Sequence, residues 1–234
     1  MSLAGRNCRT TVCIREFGNG FYVMKEYFSN LSVKRVLALF FGVFFIGAGA
    51  FLLKVSRFGN DPFTCMNLGV VDKIGVSLGT YQLLVNLGLF VFMLAFYRHA
   101  IGIGTIVNMA LVGYIVDFLQ SVFDKVPGVS ELLSLMPARA VTLVVAVVVM
   151  TFGIALYLES DLGMAPYDAL APILEIFTKG LISFSAGRII TDIICVFIGF
   201  LAGGIVGLGT VTMAFFTGPV VSFFRRHMNV QDKE

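Results

Sequence analysis

Charge is scarce in this chain. Only 13% of its 234 residues are Asp, Glu, Lys or Arg, while 58% are hydrophobic, and that balance excludes an ordinary water-soluble domain, whose surface must be covered with polar groups. Histidine occurs twice and cysteine four times. His99 and His227 fall in polar connections, so a histidine-based active site within the apolar part is excluded. Cys8, Cys13, Cys65 and Cys195 form no Cys-x-x-Cys pair and have no histidine nearby, so neither a zinc site nor a disulfide framework is indicated. There is no Gly-x-Ser-x-Gly, no phosphate-cradling Gly-x-x-x-x-Gly-Lys and no His-Glu-x-x-His. An enzyme is therefore not expected, and no catalytic residue, metal ligand or cofactor is assigned.

What is abundant is uncharged apolar sequence, with a mean hydropathy of +0.92. Five charge-free runs stand out: Val36 to Leu53, Ile74 to Tyr97, Ala100 to Val116, Ala140 to Leu158 and Ile193 to Phe224. A helix needs about 20 apolar residues to cross a hydrocarbon core. The last run exceeds one crossing and is broken by Gly203, Gly204, Gly207 and Gly209, which predict a tight turn between two helices. The expectation is an all-α membrane protein with about six transmembrane helices. Its polar faces are missing, which argues against a soluble helical bundle.

The formal charge of +3 and pI near 8.7 do not indicate nucleic acid, because the basic residues sit at chain ends rather than in a patch interleaved with aromatics. Arg6, Arg9, Arg15, Lys25, Lys34 and Arg35 precede the first span against Glu16 and Glu26, which keeps that end in the cytoplasm. With six crossings the carboxyl end, carrying Arg225, Arg226, His227 and Lys233, returns to the same side, as does the Arg98–His99 loop. The first long run begins too far along for a cleaved signal peptide. Residues 1–33 read as a basic cytoplasmic extension with a short amphipathic helix around Phe17 to Phe28, and 229–234 as a cytoplasmic tail.

A shift of 104 residues aligns the chain with itself. Arg35 meets Arg139, Gly49 meets Gly153, Gly59 meets Gly163, Pro62 meets Pro166 and Phe63 meets Tyr167; slightly later, Asn86 meets Asp192, and Gly102, Gly104, Thr105 and Gly113 meet Gly207, Gly209, Thr210 and Gly218. The landmarks recur in order, as in a duplicated unit. Repeat 1 spans 34–125 and repeat 2 spans 138–228. Each reads as a span, a Gly-x-x-Pro-aromatic break, a short helix, a second span, a Gly-rich turn and a third span. Three crossings per copy, an odd number, predict two inverted repeats related by an axis in the membrane plane.

In each break a flexible Gly precedes Pro at a helix start. About twelve residues follow to Ile74 and eleven to Phe177, too few and too polar to span. Two placements are open: re-entrant half-helices whose free N–H groups meet at depth, tolerated only where protein or a watery cavity satisfies them, or interfacial helices on the two membrane surfaces. Arg188 and Asp192, four apart, share a helix face, and Gln82 with Asn86 hold the matching places in repeat 1; an ion pair of purely structural use is the alternative. Buried polar groups in lipid are costly, so the candidate substrate-binding set is Asn60, Asp61, Pro62, Thr64, Gln82, Asn86, Asn108, Pro166, Tyr167, Asp168, Arg188 and Asp192. For Asn108 a helix-to-helix hydrogen bond is the competing role, Asp117 falls at the interface, and the many glycines suit close helix packing.

The Gly59-Asn60-Asp61-Pro62-Phe63 break, followed by Gly104-Thr105, Asn108, Gly113 and Asp117, resembles the bacterial YczE/YyaS/YitT group of membrane proteins over most of 35–226. Ser222 stands where the first copy has Asp117, so symmetry at that point is broken. The resemblance implies a bacterial cytoplasmic-membrane protein with no settled substrate. Two functions follow as expectations. One is a small secondary transporter or channel-like permease for a small solute or ion, sited between the repeats; positive half-helix ends and Arg188 favour an anion there, Asp192 a cation or proton. The other is a non-transporting membrane anchor or regulator of a partner protein, working through residues 1–33. The lipid bilayer is the expected partner, and a homodimer through Gly-rich faces is open.

Overall fold

In the computed structural model, residues 32–126, 128, 133, 135–182, 184–215 and 217 are described. The extension and its amphipathic helix, Cys8, Cys13, Gly218, Ser222 and the basic carboxyl end lie outside them. Seven α-helices follow in order: α1 (Val33–Ser56), α2 (Pro62–Ile74), α3 (Leu78–Phe96), α4 (Ile103–Phe123), α5 (Met136–Ser160), α6 (Leu170–Phe177) and α7 (Phe184–Ala202). Residues 208–215 are again helical, and no strand occurs among the described residues. By length and composition, four of these helices can cross a membrane: α1, α3, α4 and α5.

Local chemistry sets the boundaries. The Asp61 carboxylate accepts from the Thr64 amide at 3.0 Å and Pro62 opens α2; a cap of this kind is worth about 1 kcal/mol. Gly75, at φ 70°, closes it. Ser77 then caps α3 through the Thr80 amide at 3.2 Å, leaving only three residues between the two helices. α2 and α3 therefore run side by side in opposite directions: Val71 and Leu78 share one apolar cluster, Phe63 and Val85 another.

The second break departs from the expected helix start at Pro166. Residues 166–169 form turns, and α6 begins only at Leu170. Ala165 stands where repeat 1 has the capping Asp61, so no side chain can hold the first turn. Pro172 adds a second reason. A helix begun at Pro166 would carry Pro172 in its interior, costing a hydrogen bond and a steric clash, whereas from Leu170 it falls in the tolerated first turn.

The described contacts come in matched pairs across the 104-residue shift. A Cβ on Gly49 would lie 2.7 Å from the Cα of Met150, and one on Gly153 would lie 2.7 Å from the backbone N of Ile46; Gly42 meets Tyr157 in the same way. Along these pairs one number rises as the other falls, so α1 and α5 pack antiparallel with their backbones touching, as small residues permit. Arg35 Nε donates to the Ser160 carbonyl at 3.0 Å, and Arg139 Nε donates to the Ser56 carbonyl at 2.9 Å. The breaks are exchanged too: Gly104 N donates to Leu162 O and Gly209 N to Phe58 O, each at 2.7 Å. Gly59 and Gly163 hold φ of 101° and 119°, a region open to glycine at little cost, and a Cβ on either would lie 2.7 Å from a backbone N of the other copy's Gly-rich turn.

Large apolar side chains point away from this core. Phe40, Phe41 and Phe44 on α1, Val91 and Phe92 on α3, and Phe197 and Phe200 on α7 are exposed. A water-facing surface does not carry such a belt; a lipid-facing one does.

Candidate functional site

Phe63 and Tyr167, counterparts in the two copies and both buried, stack with ring centroids 4.6 Å apart. Phe63 sits in the first turn of α2, while Tyr167 sits in the turns before α6, so the two breaks converge at this pair. Cys195 packs with both rings, and Met66, Val85, Leu89 and Leu170 close the surround.

Repeat 2 supplies a charged cluster on one side of the stack. The Tyr167 hydroxyl donates to Asp192 Oδ1, and Arg188 Nη1 donates to Asp168 Oδ1. Arg188 Nε lies 3.6 Å from Asp192 Oδ1, one helical turn along α7, and its guanidinium carbon sits 5.0 Å from the centre of the Tyr167 ring. The expected shared face of Arg188 and Asp192 is present. Asp168, from the break, joins it to make a cation held between two carboxylates above an aromatic face. Asp192 is 6% exposed. An ion so placed is stable only with its partners present.

Repeat 1 answers with oxygen acceptors. Asn60, Thr64, Gln82 and Asn86 are all buried, and Asp61 lies within electrostatic reach of Arg188 and Asp192. Asp61 Oδ2 caps α2, but its Oδ1, with Asn60 Oδ1 and Gln82 Oε1, is buried without a hydrogen-bond partner. Asn67 belongs here as well. It is 0% exposed, and neither its amide oxygen nor its nitrogen has a partner. The sequence carried a signal for it, since Asn67 follows Phe63 by four residues and so shares its helix face.

Three candidates remain. Pro62 and Pro166 are buried and shape the breaks. Asn108 is half-buried on α4. Asp117 Oδ2 accepts from the Gly79 amide at 2.7 Å, tying α4 to the first turn of α3, where Gly79 and Gly113 approach closely.

A cavity of about 390 Å³ opens between α7 and the helical residues 208–215, lined by Phe197, Phe200, Val211 and Phe215, with Asp192 and Thr210 its polar liners among the described residues. Asp192 thus borders both the charged cluster and an apolar hollow.

A lipid-matched helical shell around paired, partly buried charges defines a membrane protein. The chain belongs to the family of unknown function DUF6198, whose model matches residues 33–226. It is 27% identical over 193 residues to an uncharacterized protein of Haemophilus influenzae, covering 82% of this chain and 83% of that one. It is 22% identical over 185 residues to the uncharacterized membrane protein YczE of Bacillus subtilis, covering 79% and 82%, and 22% identical over 183 residues to YyaS of the same organism, covering 78% and 88%. The resemblance read from the Gly-x-x-Pro breaks is thereby established for YczE and YyaS. No solved structure matches this chain.

Proposed function

We propose that this protein is a small gradient-driven permease of the bacterial cytoplasmic membrane, with its solute site at the Phe63–Tyr167 stack. In this reading α1, α3, α4, α5, α7 and the helix beginning at 208 cross the bilayer as two inverted three-span copies, both chain ends lie in the cytoplasm, and the chain catalyses no reaction. α2 and α6 are re-entrant half-helices. The exchanged contacts support the inversion: antiparallel packing of α1 on α5, with each break bonded to the other copy's turn, is what an axis in the membrane plane would produce.

The observation that carries the reading is the charged cluster itself. Asp168 and Asp192 flank one guanidinium, with Asp61 within electrostatic reach, inside a shell of residues that face lipid. Groups of this kind in an apolar slab are expensive and mark solute or ion paths. Charge sets the preference. Arg188 already has two carboxylates, and the unpartnered atoms are mainly oxygens, so the site suits a cationic or hydrogen-bond-donating solute better than an anion. The apolar cavity beside Asp192 gives such a solute a place to approach.

The test is reconstitution of the purified full chain in liposomes, reading transient currents on a solid-supported membrane under applied gradients of protons, sodium, small amines and polyols. The expected result is a current for at least one of these that Asp192→Asn abolishes. Absence of current throughout, or current that survives that substitution, overturns the proposal.

A further inference from the structure

Asp192 borders a space that its own cluster does not fill. The cavity of about 390 Å³ between α7 and residues 208–215 lies within the range of pockets that hold small ligands, about 300–1,000 Å³. Its walls Phe197, Phe200, Val211 and Phe215 are all exposed, so the hollow opens sideways, onto the face that carries the apolar belt. Behind them stand two buried polar liners, Thr210 and Asp192. The Thr210 hydroxyl is engaged locally, accepting from the Gly207 amide at 3.5 Å. Asp192 is the polar group left to meet an occupant.

That carboxylate is only half engaged. Its Oδ1 accepts from the Tyr167 hydroxyl and lies 3.6 Å from Arg188 Nε, beyond hydrogen-bonding distance; no described residue donates to its Oδ2. Arg188 gives its direct bond to Asp168 instead. Asp61 is within electrostatic reach of both Arg188 and Asp192. Three carboxylates therefore answer to one guanidinium, a formal excess of negative charge. In an apolar surround such an excess draws a cation.

Depth decides the kind of cation. At 1.5 Å per residue, Asp192 stands about 12 Å along α7 from Phe184 and about 15 Å from Ala202, close to the middle of the helix. A phospholipid keeps its headgroup at the membrane surface and can bring only an acyl chain to that level. A metal ion finds no ligands in the aromatic and aliphatic walls. An alkylammonium suits both halves of the site: its tail carries it into the bilayer, and the carboxylate retains its head. We propose that the groove between α7 and residues 208–215 is a lateral entrance from lipid, and that it admits a lipophilic amine, with the ammonium paired to Asp192 and the tail along Phe197, Phe200 and Phe215. The inference rests on reading the polar cluster as the solute site of a permease, and it names the class of solute and its route.

The chain contains no tryptophan, so one placed in the groove is a unique reporter. The purified full chain carrying Phe200→Trp is titrated in detergent near neutral pH with n-octylamine, which is protonated there, and at equal micellar concentration with n-octanol and n-octanoate. Its fluorescence should respond saturably to octylamine, with the alcohol and the carboxylate about tenfold weaker or more, the equivalent of one charge-assisted hydrogen bond. Ethylamine, which has the head without the tail, should give no response. Phe215→Trp is the second reporter should Phe200→Trp fold poorly. Val91→Trp, on the exposed face of α3, should show no saturable response, which separates site binding from partition into the micelle. Asp192→Asn combined with the reporter should erase the preference for octylamine over octanol. Equal responses to octylamine and octanol would mean a seat for any acyl chain, and tighter octanoate an anion site. Either result overturns the proposal, as does a preference for octylamine that survives Asp192→Asn or appears equally at Val91→Trp. The two readings fail separately. Saturable octylamine binding without any current removes the permease and leaves the groove site, whereas proton or sodium current from a chain that ignores octylamine removes the groove site alone.

Discussion

Phe63 and Tyr167 occupy the same position in the two copies, and their rings stack 4.6 Å apart. In the proposed inverted arrangement a residue touches its own repeat counterpart only on the axis that relates the copies, which is where this pair would lie. The single hydroxyl that distinguishes them is bonded to Asp192. Tyr167→Phe makes the pair chemically identical. It should keep the stack, leave the melting temperature within about 4 °C, the equivalent of one lost hydrogen bond, and lower transport current by freeing Asp192. A variant that melts far lower would show the hydroxyl to be structural.

Arg188→Gln installs the residue of repeat 1. Asp168 and Asp192 would then face each other without their cation. Breaking a fully buried pair costs about 3–5 kcal/mol; because the Arg188 side chain is 32% exposed, about 2 kcal/mol is expected here. Adding Asp192→Asn should recover part of the loss, and a double-mutant cycle on melting midpoints measures the coupling. Additive effects would mean that the two residues do not act as a pair.

Glycine positions separate cleanly. A Cβ on Gly153 would lie within 3 Å of the Ile46 and Gly42 backbones, so Gly153→Ala must push α5 off α1, at about 1–3 kcal/mol. Gly88, inside α3, has nothing within 4 Å of such an atom. Gly88→Ala should stabilise by about 0.5–1 kcal/mol through helix propensity. Comparing the two melting midpoints tests the packing directly.

Asp117 and Asp192 should part company under substitution. Asp117→Asn weakens one bond to the Gly79 amide, with a cost of about 1 kcal/mol and transport retained. Asp192→Asn should abolish transport. Currents lost in the first variant but kept in the second would reverse the assignment.

Much of this arrangement is legible in the sequence, because the information is local or repetitive. Charge-free runs announce the long helices, and the Asp61-Pro62 dipeptide announces α2 through capping chemistry. The doubled landmarks, from Arg35 and Arg139 to Gly104 and Gly209, foreshadow contacts that the structure forms in pairs. What escapes is what depends on the partner. Pro166 looks equivalent to Pro62 until the missing cap and Pro172 are set against it. Arg188 suggests an attraction for anions until Asp168, twenty positions away, is seen to neutralise it. Asn67 hides in a short helix because nothing in its immediate neighbours shows that it will find no bonding partner.

Topology has its own check. In a background with Cys8, Cys13, Cys65 and Cys195 replaced by serine or alanine, a single cysteine at His99 should react only from the cytoplasm, and one at Lys125 or Gly203 only from outside. Labelling of all three from one side would leave the inverted arrangement without support.

The exchanged backbone bonds, Gly104 to Leu162 and Gly209 to Phe58, involve no side-chain chemistry at all. Neither bond depends on which side chains stand around it provided glycine keeps the approach open, so the two halves can differ in charge, one carrying Arg188 and the other Asp61, while still clasping each other. Severed into separate polypeptides, the halves would each expose an unbonded turn to lipid, so neither should accumulate without its sibling.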